Sequence, residues 1–428
     1  MKVLNLFHAP VAEWFREVFV QPTTVQQKGW PVIHGGGHTL LLAPTGSGKT
    51  LAAFLSAIDH LMFAPQPARM DRCRVLYLSP LKALAVDVER NLRAPLAGIA
   101  RTAERSGVPF VIPTSAIRTG DTPAAERARF GRNPADILIT TPESLYLMLT
   151  SMVREALRSI RWVIVDEIHA MAATKRGSHL ALSLERLEVL LERPFQRIGL
   201  SATQRPLEEI AQFLGGGESS GHRKWKPRPV TIVDAGAKKD LDIRVSVPVE
   251  DMSRLGEVLD QIPSGPAAQG PPRRSIWPAL YPQILDLIRK HRTTLVFVNN
   301  RRLAERMAAM LNELAGEELV RAHHGSVARE QRLQIEEDLK AGKLAAIVAT
   351  SSLELGIDMG SIDLVVQVEA PSSVSSALQR IGRAGHQAGA SSEGVVFPKF
   401  RGDLIACAAL TKLMMEGEVE ETHYPRNP

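Results

Sequence analysis

The segment Ala43-Pro44-Thr45-Gly46-Ser47-Gly48-Lys49-Thr50 constrains the chain more than any other feature. It follows an apolar β-type run, Thr39–Ala43, and opens a helical stretch, Leu51–Leu61. A strand, a glycine-containing loop, Lys-Thr and a helix in that order form a phosphate-binding loop in its required setting. The backbone has to curl with its N–H groups pointing inward at phosphate oxygens, which glycine permits. The helix N-terminus adds its positive dipole end. Thr45, Gly46, Ser47 and Gly48 would line the phosphates, Lys49 would reach the β- and γ-phosphates, and Thr50 would ligate Mg²⁺. Ala43 stands where the strict pattern has glycine, so the match is to a looser variant.

Around this loop, short β-type runs alternate with helical stretches, the pattern of parallel sheets covered by helices. Thr39–Ala43, Val75–Ser79, Asp136–Thr140, Trp162–Val165 and Arg197–Leu200 read as buried strands. Leu51–Leu61, Lys82–Leu92 and Ser178–Leu191 read as helices. The pattern then breaks at Gly215-Gly216-Gly217-Glu218-Ser219-Ser220-Gly221, a flexible-linker composition. Arg228–Val249 looks extended, and Pro263–Pro278 reads as a surface loop. The alternation resumes with strands at Thr294–Val298, Leu319–Ala322, Ala345–Ala349, Leu364–Val368 and Gly394–Phe397. Helices are read at Ala304–Leu314, Ala328–Lys340 and Ser375–Gly382. Two α/β domains are expected, residues 1–220 and 221–428.

Composition agrees and excludes little. The chain has 428 residues, of which 44% are hydrophobic, ample for two cores. The charged fraction of 23% is that of an ordinary soluble protein. No apolar run reaches the roughly 18 residues of a membrane span, and Met1 to Phe15 carries no secretory pattern. Cys73 and Cys407 stand far apart without metal-ligand spacing, which suggests a reduced, cytoplasmic setting. The net charge of +6 leans mildly toward a polyanionic partner.

Asp166-Glu167-Ile168-His169 ends the apolar strand Trp162–Val165. Beside a phosphate loop, a carboxylate there serves Mg²⁺, which assigns Asp166 to the metal. Glu167 is placed to orient and deprotonate an attacking water. His169 reads either as a core histidine or as a relay of the γ-phosphate state. Ser201-Ala202-Thr203 says little alone, since Thr203 could simply cap a following helix. In the second half, Gln379-Arg380-Ile381-Gly382-Arg383-Ala384-Gly385-His386 carries two arginines three apart, which share a face on a helix. If two domains close on one ATP, Arg380 and Arg383 can stabilise the charge that develops on the γ-phosphate. A solvated basic helix is the bland alternative.

The ordered motifs resemble those of the superfamily 2 DExH-box helicases, and among them the Lhr (large helicase-related) type. The matching pieces are Pro22–Gln26, Ala43–Thr50, Ser79–Leu84, Arg118–Thr122, Thr140–Leu145, Asp166–His169 and Ser201–Thr203. They continue with Phe297–Arg301, His323–Ser326, Ala349–Asp358 and Gln379–His386. The resemblance covers almost the whole chain and implies two tandem RecA-like domains, parallel sheets flanked by helices. It implies that Gln26 reads the adenine edge, its amide offering both donor and acceptor. It places Gly356, Asp358 and Gln379 at the nucleotide. It sets Pro80, Lys82, Arg118, Gly120, Thr141 and Pro142, with Thr350 and Ser351 of the second domain, along a nucleic-acid backbone. It makes a metal cluster of His323, His324 and His386 improbable.

The resemblance further implies an ATP- and Mg²⁺-dependent helicase or translocase on single-stranded DNA, able to unwind duplex or DNA–RNA hybrid, with a role in DNA repair. Proteins of that type continue into a winged-helix region and a further domain. The chain ends at Pro428, so a truncated form or fragment is expected, with ATPase chemistry ahead of processive unwinding. Two other classes stay open: a remodeller that moves without separating strands, and a non-catalytic nucleic-acid-binding scaffold. A small-molecule kinase would have no need of the second domain.

Overall fold

The computed structural model describes residues 2–44, 46–202, 205–219, 225–236, 240–255, 275–356, 360–385 and 391–425. It divides into two compact units, Met1–Ala237 with Glu421–Pro428, and Lys238–Glu420.

The first unit is built on seven parallel strands: β1 Thr39–Leu42, β2 Val75–Leu78, β3 Ser115–Arg118, β4 Ile137–Thr140, β5 Trp162–Val165, β6 Gln196–Ser201 and, past a small antiparallel pair β7 Gly217–Ser219 and β8 Trp225–Pro227, β9 Thr231–Asp234. Their spatial order is β3-β4-β2-β5-β6-β1-β9. Successive side chains of a strand point to opposite faces, and here both faces are buried. Leu41, Val75, Tyr77, Ile139 and Ile164 join one apolar cluster. Their chain neighbours Leu40, Leu42, Leu76, Leu78, Leu138 and Val163 join the other. That double burial is why these strands are continuous apolar runs. Helices α1 Ala9–Val18, α2 Thr24–His34, α3 Lys49–Phe63, α4 Lys82–Arg105, α5 Ala124–Arg132, α6 Pro142–Leu149, α7 His169–Ala172, α8 Lys175–Leu191 and α9 Leu207–Gly215 supply the cover.

The second unit repeats the plan with β10 Leu241–Val245, β11 Thr294–Phe297, β12 Val320–His323, β13 Ala346–Ala349, β14 Leu364–Val368 and β15 Ser392–Phe397, in the order β10-β15-β14-β11-β13-β12 and all parallel. Its helices are α10 Trp277–Lys290, α11 Arg301–Ala315, α12 Arg329–Lys340, α13 Val374–Ile381 and α14 Arg401–Glu416. One core joins α10 and α11 to the central strands through Ile284, Leu285, Met307, Val296 and Val348.

Two expectations about organisation change. The units divide at 237/238 rather than 220/221, because β9 pairs with β1 and completes the first sheet. The supposed linker is structured through its described part: α9 ends at Gly215 and Gly217–Ser219 is β7. Ser220 and Gly221 lie outside the described residues. The reason is a buried charge cluster. Arg228 Nη1 and Nη2 donate to Glu185 (2.8 and 3.0 Å), and Nη2 also donates to Glu188 at 2.8 Å. Arg197 Nη2 donates to Glu188 at 2.7 Å. Gly216 (φ 59°) threads this cluster, and a Cβ there would lie 2.0 Å from Glu185 Oε1. Residues 263–274 of the supposed loop lie outside the described residues, and Trp277 and Pro278 begin α10.

Candidate functional site

Every strand of the first sheet ends on the same side, and parallel registry aligns those ends. Leu42 pairs with Ser201, Val165 with Gly199, Leu78 with Val165 and with Thr140, and Arg118 with Thr140. The motif loops that follow are thereby gathered along one edge, where open α/β sheets bind ligands.

The phosphate loop connects β1 to α3. Gly46 (φ 80°) and Gly48 (φ 82°) take left-handed backbone, and a Cβ on Gly48 would lie 2.6 Å from Gln26 Nε2. Lys49 Nζ donates to the carbonyls of Ala43 and, at 3.0 Å, Pro44. Among the described residues the buried Ser47 hydroxyl has no hydrogen-bond partner. Thr50 is half-buried in the first turn of α3. Thr45 lies outside the described residues. Gln26 alone reads as a surface residue, yet it is 3% exposed. Its Oε1 accepts the Thr23 N–H at 3.0 Å and its Nε2 lies 3.4 Å from the Gly48 carbonyl. Its amide is thus committed to α2 and the loop, and it would have to release these partners to read an adenine.

Asp166 and Glu167 follow β5 in the interior. Asp166 Oδ1 accepts the Glu167 N–H at 2.9 Å, and Oδ2 accepts the Tyr77 hydroxyl. Burial, then the Glu167 charge, pushes the Asp166 carboxyl well above the usual carboxylate range, with Lys49 pulling the other way. Burial and the same carboxylate push the Tyr77 phenol up, which keeps it a donor. Glu167 has φ 43°, a conformation that costs a non-glycine residue roughly 1–3 kcal/mol and tends to mark functional sites. His169 Nδ1 accepts the Ala202 N–H at 3.2 Å and lies 3.2 Å from Ser201 Oγ, so the imidazole is tied to the end of β6. Thr203 lies outside the described residues, and the helix it was offered to cap begins at Leu207 behind Pro206.

Further along the edge, Lys82 is exposed and paired with Asp121. Arg118 is half-buried, its Nη1 finds no acceptor among the described residues, and burial and then Arg127 push its pKa down. An uncompensated guanidinium of this kind is suited to a phosphate. Gly120 is exposed, with its Cβ position 3.4 Å from Lys82 Nζ. Thr141 stands at the N-cap position of α6 and Pro142 is its first residue, so the positive end of that helix faces the same edge. Pro80 is buried, and its carbonyl accepts Arg176 Nη2 at 2.9 Å while Arg176 Nε meets Glu143 at 2.6 Å. Sequence reasoning missed Arg176 and Tyr77. The one signal for Tyr77 was a hydroxyl inside an otherwise aliphatic buried strand.

In the second unit, Thr350 and exposed Ser351 follow β13, with the Thr350 N–H on the His323 carbonyl at 3.3 Å. Gly356 is half-buried in a bend, Gln379 lies on α13, and Asp358 and His386 are outside the described residues. The two arginines differ from expectation. The helix ends at Ile381, so Arg383 lies beyond it and shares no helical face with Arg380. Arg380 is 5% exposed and held by three acceptors: Glu354 Oε2 at 3.0 Å, Gln367 Oε1 at 3.1 Å and Asn299 Oδ1 at 3.2 Å. Its guanidinium also lies 5.3 Å from the Phe297 ring centre. Arg383 Nη2 donates to the Glu354 carbonyl at 2.8 Å. His323 and His324 are each engaged by a glutamate, Glu336 at 3.1 Å and Glu305 at 2.7 Å.

Comparison with known proteins matches residues 23–210 to the DEAD/DEAH box helicase family and residues 279–388 to the helicase conserved C-terminal domain. The chain is 52% identical over 460 residues to an Lhr helicase of Mycolicibacterium smegmatis, covering 99% of this chain and 29% of the relative. It is 44% identical over 432 residues to the ATP-dependent helicase Lhr-Core of Methanothermobacter thermautotrophicus, covering 100% of this chain and 47% of the relative. A solved structure of Mycobacterium smegmatis helicase Lhr bound to ssDNA and AMP-PNP superposes with a TM-score of 0.88 at 55% identity, over 100% of this chain and 52% of that one. The chain thus spans about a third to a half of the length of these relatives. With its motif order carried on two parallel-sheet units, it belongs to the Lhr-type DExH-box helicases of superfamily 2.

Proposed function

We propose that the chain is an ATP-driven motor that moves on single-stranded DNA. The observation that carries this reading is the shared edge of the first sheet. Loops after β1, β5 and β6 hold phosphate-loop and acidic chemistry, while loops after β2, β3 and β4 hold cations and a helix N-terminus. A change at the nucleotide therefore has a short, rigid route to the track.

ATP would displace the Ala43 and Pro44 carbonyls from Lys49, whose ammonium then serves phosphate oxygens. Ser47 brings a hydroxyl with no competing partner among the described residues. The donor set suits Mg²⁺: a buried carboxyl beside a second acid gains its ionised form when a cation arrives. Thr50 and Asp166 would hold that ion, which would neutralise charge on the phosphates. Glu167 orients the attacking water and takes its proton as the new O–P bond forms and the β–γ bridging P–O bond breaks. Arg383 supplies positive charge to the transferring group. Arg380 is a positioning residue, since Glu354, Gln367 and Asn299 already occupy it. Lys82, Arg118 and the start of α6, with Thr350 and Ser351, contact the strand through its phosphates, which gives no base readout.

Among the described residues no helix is long and apolar enough to cross a membrane. Unwinding of DNA–RNA hybrids and a role in DNA repair extend the reading by family resemblance, and a cytoplasmic location extends it from the two widely spaced cysteines. A strand-displacement assay run beside ATP hydrolysis, on tailed DNA duplex and DNA–RNA hybrid, tests it. Hydrolysis with displacement supports a helicase. Hydrolysis without displacement favours a remodeller, and the loss of both favours a scaffold.

A further inference from the structure

The opposite edge of the first sheet carries a second concentration of positive charge. Arg74 and Arg161 immediately precede β2 and β5, at the strand ends farthest from the motif loops. At about 3.3 Å per residue, β5 sets Arg161 about 17 Å from Asp166. With Arg193, His60, Ser159 and Asp71 they line a cleft of about 440 Å³, within the usual range for small-ligand sites.

The charge in this cleft is only partly compensated. Arg74 is 5% exposed, and its Nε has no hydrogen-bond partner among the described residues. Its nearest carboxylate, Asp136, is 3.8 Å away and is already used by Arg72 at 2.8 Å and by the Thr114 N–H and hydroxyl, both at 2.8 Å. Asp71 accepts the Ser159 hydroxyl at 2.8 Å. Arg161 donates to the His60 imidazole at 3.3 Å, a neutral acceptor when it does so. Burial and Arg161 are the influences on Arg193, with no carboxylate acting on it among the described residues. Burial, and then neighbouring arginines, push the pKa of His60 down, and burial followed by Arg161 does the same to Arg193. Three guanidiniums share Asp71 and the already engaged Asp136, so the cleft keeps a surplus of positive charge.

We infer that the base of the first sheet is a second anion site, which takes a small, multiply charged phosphate compound of the pyrophosphate type. Guanidiniums offer paired N–H donors that match phosphate oxygens, and one buried Arg with two at the rim can serve a dianion from several sides. A second cleft of about 360 Å³ shares His60 and Ala64 with it and is walled by Phe63 and Trp162, so a group attached to the phosphate has an aromatic surface beside it. This site is separate from the phosphate loop and independent of the proposed motor.

The test is calorimetric titration of pyrophosphate into the full chain at low salt, with Lys49→Ala removing competition from the phosphate loop. One site is expected. Arg161→Gln with Arg193→Gln should weaken it at least roughly tenfold, since each substitution removes charge-assisted hydrogen bonds. Both side chains are exposed, so the unfolding midpoint should hold. Arg74 is left in place because its burial would make folding the readout. Affinity for a short oligothymidylate should not change. No uptake of pyrophosphate, or equal uptake with and without the two arginines, overturns the inference. A fall in oligonucleotide affinity alone also overturns it, in favour of a contact with the nucleic-acid track.

Discussion

Replacing Tyr77 by Phe removes one oxygen from the interior of the first unit and little else. The ring would keep its stacking on Phe54, 5.2 Å between centres. What disappears is the donor to Asp166 Oδ2, leaving that carboxylate oxygen in a fully buried place without it. Hydrogen bonds to charged groups contribute about 1.5–3 kcal/mol, and an orphaned buried acceptor carries a penalty of similar size. A loss of about 2 kcal/mol is expected. In a unit of this size each kcal/mol moves the midpoint by about 2–4 °C, so the shift should be about 4–8 °C downward. Thermal unfolding followed by circular dichroism reads it. Because Asp166 is the proposed metal ligand, the Mg²⁺ concentration that half-saturates ATP hydrolysis should rise in the same variant. A midpoint within about 1 °C of the parent, with unchanged Mg²⁺ dependence, would refute the claim that Tyr77 holds Asp166 in place.

Three further outcomes are expected. Arg228→Ala takes one of two buried arginines from Glu185 and Glu188, which both keep Arg197, and should cost about 1–3 kcal/mol in chemical denaturation of the first unit. Arg118→Ala should weaken single-stranded DNA binding across all sequences and lower the salt slope by about one phosphate, read by fluorescence anisotropy at several salt concentrations. Cys73 and Cys407 are buried, with thiols pushed up to about 12 chiefly by burial, so a thiol reagent should label both only after unfolding.

The parts of the fold that could be read from the sequence are those buried on both faces. Trp162–Val165 and Leu364–Val368 were bounded correctly because apolar runs, broken in the second only by Gln367, leave no choice of face. β3 escaped notice because Ser115–Arg118 is half-buried throughout and has no such run. The Gly-rich stretch after α9 suggested freedom, but its restraint comes from Glu185, Glu188, Arg197 and Arg228, partners brought together only by folding. The candidate site divides in the same way. The phosphate loop is contiguous in sequence and carries its own geometry. Tyr77 lies 89 residues from Asp166, and Arg380 lies 81 from Asn299, so no local pattern could pair them. The spacing of Arg380 and Arg383 suggested one helical face because the helix end at Ile381 leaves no mark stronger than Gly382.

The central claim is that Glu167 activates water for a reaction coupled to DNA. Steady-state ATP hydrolysis with Mg²⁺ at one fixed salt concentration, without nucleic acid, with single-stranded DNA and with single-stranded RNA, tests it most directly in the parent chain and in Glu167→Gln. The account expects strong stimulation by single-stranded DNA, and a fall of roughly 10²–10⁴-fold in the variant with no loss of thermal stability. Hydrolysis that ignores both polymers, or that survives Glu167→Gln, would contradict it.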